Sequence, residues 1–109
     1  MGQNSIKEIT ADNFEQEILK AQKPALLDFS ATWCGPCKAL DRVIDEVIQD
    51  YGDKVVFGHA DVDNAPTLAQ QFGIRSVPTL ILFNKGAPAG QMVGLVPKDK
   101  ISELINRAL

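Results

Sequence analysis

"ALLDFSATWCGPCKAL", residues 25–40, sets a short apolar run directly before two cysteines, Cys34 and Cys37, which Gly35 and Pro36 separate. Such a run, bounded by polar and small residues, reads as a strand buried on both faces, interrupted by one carboxylate, Asp28. A charge inside a buried strand is expensive unless it has a use. Further on, Leu40, Val43, Ile44, Val47 and Ile48 fall on one helical face, with Asp41, Arg42, Asp45, Glu46 and Gln49 on the other, and "YGD" ends the helix. The cysteines therefore lie at a strand-to-helix junction. Cys34 stands at the helix start, and Pro36 lies in the first turn, where a missing N–H costs nothing.

These are the only two cysteines in the chain. As a structural staple the pair is weak, because a disulfide stabilises mainly by removing loop freedom from the unfolded chain. Chain entropy gives about 2 kcal/mol for a loop of this length, against about 3 kcal/mol for one of about 15 residues. A structural zinc site needs four ligands, and Cys34, Cys37 and the single histidine, His59, do not supply them. No metal is expected. Cysteines placed at random would land three apart only about one time in fifty, so the spacing itself asks for a cause. Redox chemistry is the reading left standing.

With 109 residues and 45% hydrophobic content, the chain reads as a single domain spanning 1–109 with an ordinary globular core. A net charge of -3 and a sequence pI near 5.0 offer no basic stripe for a nucleic-acid backbone. "MGQNSIKEIT" holds neither a signal-peptide core nor a basic leader, no run approaches a membrane span, and Ile6 stands where a myristoylation signal wants Ser or Thr. A cytoplasmic location is expected, where thiols are kept reduced and a lone CxxC is more often catalytic than structural.

The remaining segments alternate. "ITADNFEQEILKAQKP" reads as a helix capped by Thr10, carrying Phe14, Ile18 and Leu19, and stopped by Pro24. "KVVFGHADV" reads as a strand, "APTLAQQFG" as a short helix closed by Gly73, and "PTLILF" as a further strand. "NKG" signals a hairpin into a weak final strand, "AGQMVGL". "DVDN" lacks the third acid, the glycine and the closing glutamate of a calcium loop, and reads as a strand end and helix start. Ile101, Leu104, Ile105 and Ala108 give a last helix its apolar face. Strands alternating with helices, then a hairpin and a helix, describe an α/β protein with a mixed sheet and helices on both faces.

Laid out this way, the chain resembles the thioredoxin family from about residue 5 to the end. The resemblance rests on "DFSATWCGPCK", "GIRSVPTLILFNKG" and the isolated Gly94, in matching order and separation. It implies the thioredoxin fold, a central mixed sheet of parallel strands plus an antiparallel hairpin. It also implies a monomeric protein-disulfide reductase with no bound cofactor beyond a reversible Cys34–Cys37 disulfide. Cys34 would attack a client disulfide, Cys37 would resolve the mixed disulfide, and a flavin- and NADPH-dependent reductase would recycle the pair. Asp28 matches the family's buried acid and would pass a proton to and from Cys37, since burial raises a carboxyl pKa. Pro78 matches the family's cis-proline. With Trp33, Gly35, Pro36, Val77, Gly94 and Leu95 it would form a flat, mostly apolar docking surface that binds clients through backbone and shape.

The helix N-terminus independently favours a thiolate at Cys34. Acidity alone is a limited aid, because a lowered thiol pKa raises the thiolate fraction while cutting nucleophilicity, for a net gain of about threefold. More must come from Cys37 attacking within its own molecule.

Three positions depart from the commoner family pattern. Ser30 stands where many relatives carry a second Trp, Arg42 where a helix-kinking proline is usual, and His59 where many place a lysine. Arg42 predicts a straighter helix. His59 is either an ordinary half-buried residue or, with Gly35 and Pro36, a tuner of the redox pair that makes proton transfer by Asp28 more pH-sensitive. Lys38 and Arg75 read as solvated charges. Two rivals to the reductase stand: an adaptor that uses the same surface without needing the cysteines, and a disulfide oxidase or isomerase.

Overall fold

The computed structural model describes residues 6–109. Its centre is strand β2, Ala25–Ser30, in which every residue, Asp28 included, is buried, as a largely apolar run requires of a strand covered on both sides. Around it lie β1 (Ile6–Glu8), β3 (Val56–Asp61), β4 (Thr79–Asn84) and β5 (Ala87–Val93), in the order β1-β3-β2-β4-β5. β1 and β2 run parallel to β3, whereas β4 runs antiparallel to both β2 and β5. The β4–β5 hairpin turns at Lys85 and Gly86, with φ of 56° and 83°. Two consecutive positive φ angles match the twist of the strands they join, which is why "NKG" closes the hairpin.

Side chains alternate across β2. Leu26 faces α1 (Gly35–Tyr51) and α3 (Lys98–Asn106), where Leu40, Ile44, Val47, Ile101, Leu104 and Ile105 pack on it and on Phe57, Leu80 and Leu82. Leu27 and Phe29 face the other way, onto Phe14, Ile18 and, from α2 (Pro66–Gln71), Leu68. The result is the mixed sheet with helices on both faces that the sequence predicts. Asp28 follows Leu26 by two residues and so points toward α1, as Ser30 does two residues further on.

α1 runs unbroken through Arg42 for 17 residues, as expected where an ordinary residue keeps the N–H that a proline would lack. It stops at Gly52, whose φ is 50°. Gly73, with φ of 65°, closes α2. In "DVDN" the expected strand end is present, but a turn stands where a helix start was expected, and α2 begins only at Pro66: Asp61 ends β3, its Oδ1 accepts the Asp63 N–H at 2.9 Å, and its carbonyl accepts the N–H groups of Asn64 and Ala65. At Gly58 in β3, a Cβ would lie 2.9 Å from Ile9 Cγ1 and 3.2 Å from Ile18 Cδ1 and Leu27 Cδ1. Only a hydrogen fits there.

The stretch after β1 corrects the expectation of an ordinary helix from Thr10 to Pro24. The Thr10 N–H donates to Asn13 Oδ1 at 2.8 Å, Asn13 Nδ2 donates to the Glu8 carbonyl, and a π-helical turn covers Glu15–Leu19. There the Lys20 N–H reaches the Glu15 carbonyl, five residues back, at 2.9 Å. The wider ring sets residue i+5 beneath residue i, so Leu19 joins Phe14 and Ile18 against the sheet. Strand β1 itself was not anticipated. The myristoylation reading concerns Met1 and Gly2, which lie outside the described residues.

Candidate active site

β2 ends at Ser30, and a turn closed by the Cys34 N–H on the Ala31 carbonyl at 3.3 Å delivers the chain to α1. Cys34 is the cap of that helix, with extended backbone, and its Sγ accepts the Cys37 N–H at 3.2 Å. The site is in its oxidised form: Cys34 and Cys37 are joined as a disulfide, Cα atoms 5.3 Å apart. The helix-end N–H groups that meet Cys34 are the groups that favour negative charge on its sulfur once the pair is reduced. Cys34 is 5% exposed and Cys37 1%, so attack from outside has only the first to reach.

Around this recessed pair the surface is apolar and open. Trp33 is 70% exposed, Val93 56% and Leu95 52%. The indole N–H of Trp33 donates to Asp63 Oδ2 at 3.0 Å, which fixes the ring although it lies in solvent. The Val77–Pro78 peptide bond is cis, and the Val77 carbonyl lies 3.8 Å from Cys34 Sγ. Gly94, with φ of 93°, donates its N–H to the Pro78 carbonyl at 2.8 Å and so ties the end of β5 to the proline loop. Gly35 and Pro36 are exposed at the rim, and Lys38 and Arg75 are solvated.

Asp28 lies inside. It is 5% exposed, and its Oδ1 has no hydrogen-bond partner among the described residues. Burial pushes its carboxyl up to about 7; the His59 charge pulls in the opposite direction, and Asp41 adds a smaller upward push. Partial burial likewise raises Asp41. A cavity of about 20 Å³ beside Asp28 is walled in part by Asp41 and His59, and a larger one of about 220 Å³ beside Cys37 shares those two walls. The carboxyl and the inner cysteine are thus neighbours across a common boundary. His59 is half-buried in β3, in register with Asp28, and its Nδ1 lies 3.1 Å from Glu8 Oε1.

The structure brings Trp33, Cys34, Gly35, Pro36, Cys37, Val77, Pro78, Gly94 and Leu95 to one end of the sheet, with Asp28 and His59 behind them. Sequence reasoning missed Val93, Asp63, Asp41 and Glu8. Asp41 carried a signal, since it follows Cys37 by four residues and so shares its helix face. Glu8 and Asp63 carried none.

A CxxC disulfide at the N-terminus of the helix that leaves the central strand of a mixed sheet defines a dithiol–disulfide oxidoreductase. The chain belongs to the thioredoxin family, whose sequence model matches residues 5–107. It is 41% identical over 101 residues to thioredoxin 1 of Synechococcus elongatus, covering 93% of this chain and 94% of the relative. It is 44% identical over 99 residues to thioredoxin 2 of Chlorobaculum tepidum, covering 91% of each. Thioredoxin of Griffithsia pacifica is 40% identical over 105 residues, 96% of each. With that family and a paired CxxC at its site, the protein is a disulfide reductase. Among the described residues no helix is long and apolar enough to cross a membrane.

Proposed function

We propose that Cys34 is the attacking thiolate, Cys37 the resolving thiol and Asp28 the proton acceptor, in a cycle that passes two electrons to a client protein. The Cys34 thiolate attacks one sulfur of the client disulfide, the client's other sulfur leaves as a thiolate, and a mixed disulfide forms. Cys37 then gives its proton to the Asp28 carboxylate, attacks Cys34 Sγ and releases the client as a dithiol. The chain is left with the Cys34–Cys37 disulfide. A flavin- and NADPH-dependent reductase returns the two electrons. Trp33, Val77, Pro78, Val93, Gly94 and Leu95 hold the client in this reading, and the Val77 carbonyl beside Cys34 pairs with its backbone. The chain works as a cytoplasmic, single-domain monomer.

The observation that carries this assignment is the recessed disulfide at a helix N-terminus, with exposed Trp33 next to it in the chain and the cis Val77–Pro78 bond facing Cys34. Its test is the equilibrium reduction potential of the pair against glutathione, with insulin reduction measured alongside. The expected potential lies below the cytosolic glutathione poise, with brisk insulin reduction. A potential well above that poise would instead make the protein an oxidant or isomerase.

His59 tunes the acid, because its donor nitrogen lies within 4.8 Å of an Asp28 oxygen and its charge lowers the carboxyl. His59→Lys places a permanent charge there and is expected to move the acid limb of the pH–rate profile down by about one unit or somewhat less. An unchanged profile would remove His59 from the mechanism.

A further inference from the structure

Glu8, His59 and Asp28 stand in one row across β1, β3 and β2, because the parallel register sets both Glu8 and Asp28 opposite His59. Residues in register share a face, and α1 covers the Asp28 end of this one, adding Asp41. One donor atom each from Asp28, Asp41 and His59 lies within 4.8 Å of the other two. These three line the cavity of about 20 Å³, whose other walls are Ile6, Leu26, Ile44, Phe57 and Gly58. That is room for a single water-sized guest. Among the described residues no lysine or arginine lines it, so no permanent positive charge there balances the two carboxylates.

An independent observation says the pocket is built for an occupant. Asp28 is 5% exposed, lines the pocket, and presents an oxygen with no hydrogen-bond partner among the described residues. A buried polar atom left bare in a native fold asks for an ion or a water. We propose that this pocket is a binding site for a divalent first-row cation, Zn²⁺ above all, ligated by Asp28, Asp41 and His59. One imidazole nitrogen and two carboxylate oxygens form a three-ligand zinc set with a fourth position open. Bonds of about 2.0–2.2 Å place tetrahedral ligand atoms about 3.3–3.6 Å apart, so the cluster closes by about 1 Å on binding. Asp41 makes that movement, since it is the most exposed of the three ligands. Glu8 completes the arrangement: with its Oε1 3.1 Å from His59 Nδ1, it orients the ring and leaves Nε2 to the metal.

This site is separate from the cysteines and goes beyond reductase activity. Its consequence for turnover rests on the role proposed for Asp28: a cation held there occupies the carboxylate that accepts the Cys37 proton and stalls the protein at the mixed disulfide.

The test titrates Zn²⁺ alone into the oxidised protein by calorimetry, with Co²⁺ absorption reporting coordination. In that form the disulfide keeps both sulfurs out of reach as thiolate ligands. One equivalent is expected to bind with a micromolar Kd; Asp28→Asn and Asp41→Asn should each weaken it at least about tenfold, and Glu8→Gln by about tenfold. No binding up to millimolar metal would overturn the site, as would binding that survives both aspartate variants. The titration reads occupancy and not turnover, so its failure leaves the reductase assignment untouched.

Discussion

Replacing Cys34 with serine abolishes client reduction, whereas replacing Cys37 with serine leaves a protein that captures clients and cannot let them go. The asymmetry follows from the geometry. Cys34 is the cap of α1 and the more exposed of the two cysteines, so in the proposed cycle it alone meets both the client and the helix-end N–H groups. A serine hydroxyl stays protonated there and is no nucleophile toward a disulfide. Cys37 is 1% exposed and held one turn along the same helix, so its advantage is proximity to Cys34. Well-placed intramolecular groups act at effective concentrations of up to about 10⁵ M or more, far above any external thiol. Loss of that step should slow insulin turnover at least about a thousandfold, while the first attack proceeds and a covalent adduct accumulates. Mass spectrometry of Cys37→Ser mixed with oxidised client should show one client per chain, sensitive to reductant. An adaptor would behave otherwise: Cys34→Ser would keep its full biological activity, and no covalent client would appear on either variant.

The placement of the two cysteines was legible in the sequence. A CxxC at a strand-to-helix junction has one cysteine at the cap and one in the first turn, and a helix cap favours the thiolate at the first. β2, α1 and the β4–β5 hairpin were equally plain, because each carries a strong local signal: a short, mostly apolar run, a five-residue apolar face, the "NKG" turn. Weak local signals were misread. Ile6–Glu8 is too short for any alternation to register, and its strand character comes from pairing with Phe57–His59 far along the chain. The π-helical turn at Glu15–Leu19 differs from an α-helix only by one residue per ring, and Phe14 and Ile18 satisfy both patterns. Nor could periodicity show that Trp33 lies in solvent, since its anchor, Asp63, is 30 residues away. The environment of Asp28 was half legible. Its carboxylate stood out within "ALLDFS", but the row that joins it to His59 and Glu8 exists only through strand register.

That environment sets the second large effect, on stability. With metal removed by a chelator, burial pushes the Asp28 carboxyl up to about 7 in the folded protein, from an ordinary carboxyl value of 3.8 in the unfolded chain. Below the lower value both folded and unfolded chains carry the proton, and the group is neutral in its effect. Between the two values the unfolded chain ionises while the folded one stays protonated, so rising pH favours unfolding by about 1.4 kcal/mol per unit. Above about pH 7 both are ionised and the loss levels off, at a total on the order of 4 kcal/mol. Asp28→Asn removes this linkage. The buried amide brings its own unpaired N–H groups, at about 1–3 kcal/mol, so the variant should be the less stable protein at pH 4 and the more stable one at pH 8. Urea unfolding at the two pH values measures this directly, with His59 and Asp41, the groups whose charges act on the carboxyl, left in place. Parallel curves for wild type and variant would mean that Asp28 ionises normally and has no proton to manage near neutrality. Crossing curves, together with a slowed release of client from the mixed disulfide, would mean that the fold tolerates a destabilising buried charge because the resolving step of Cys37 depends on it.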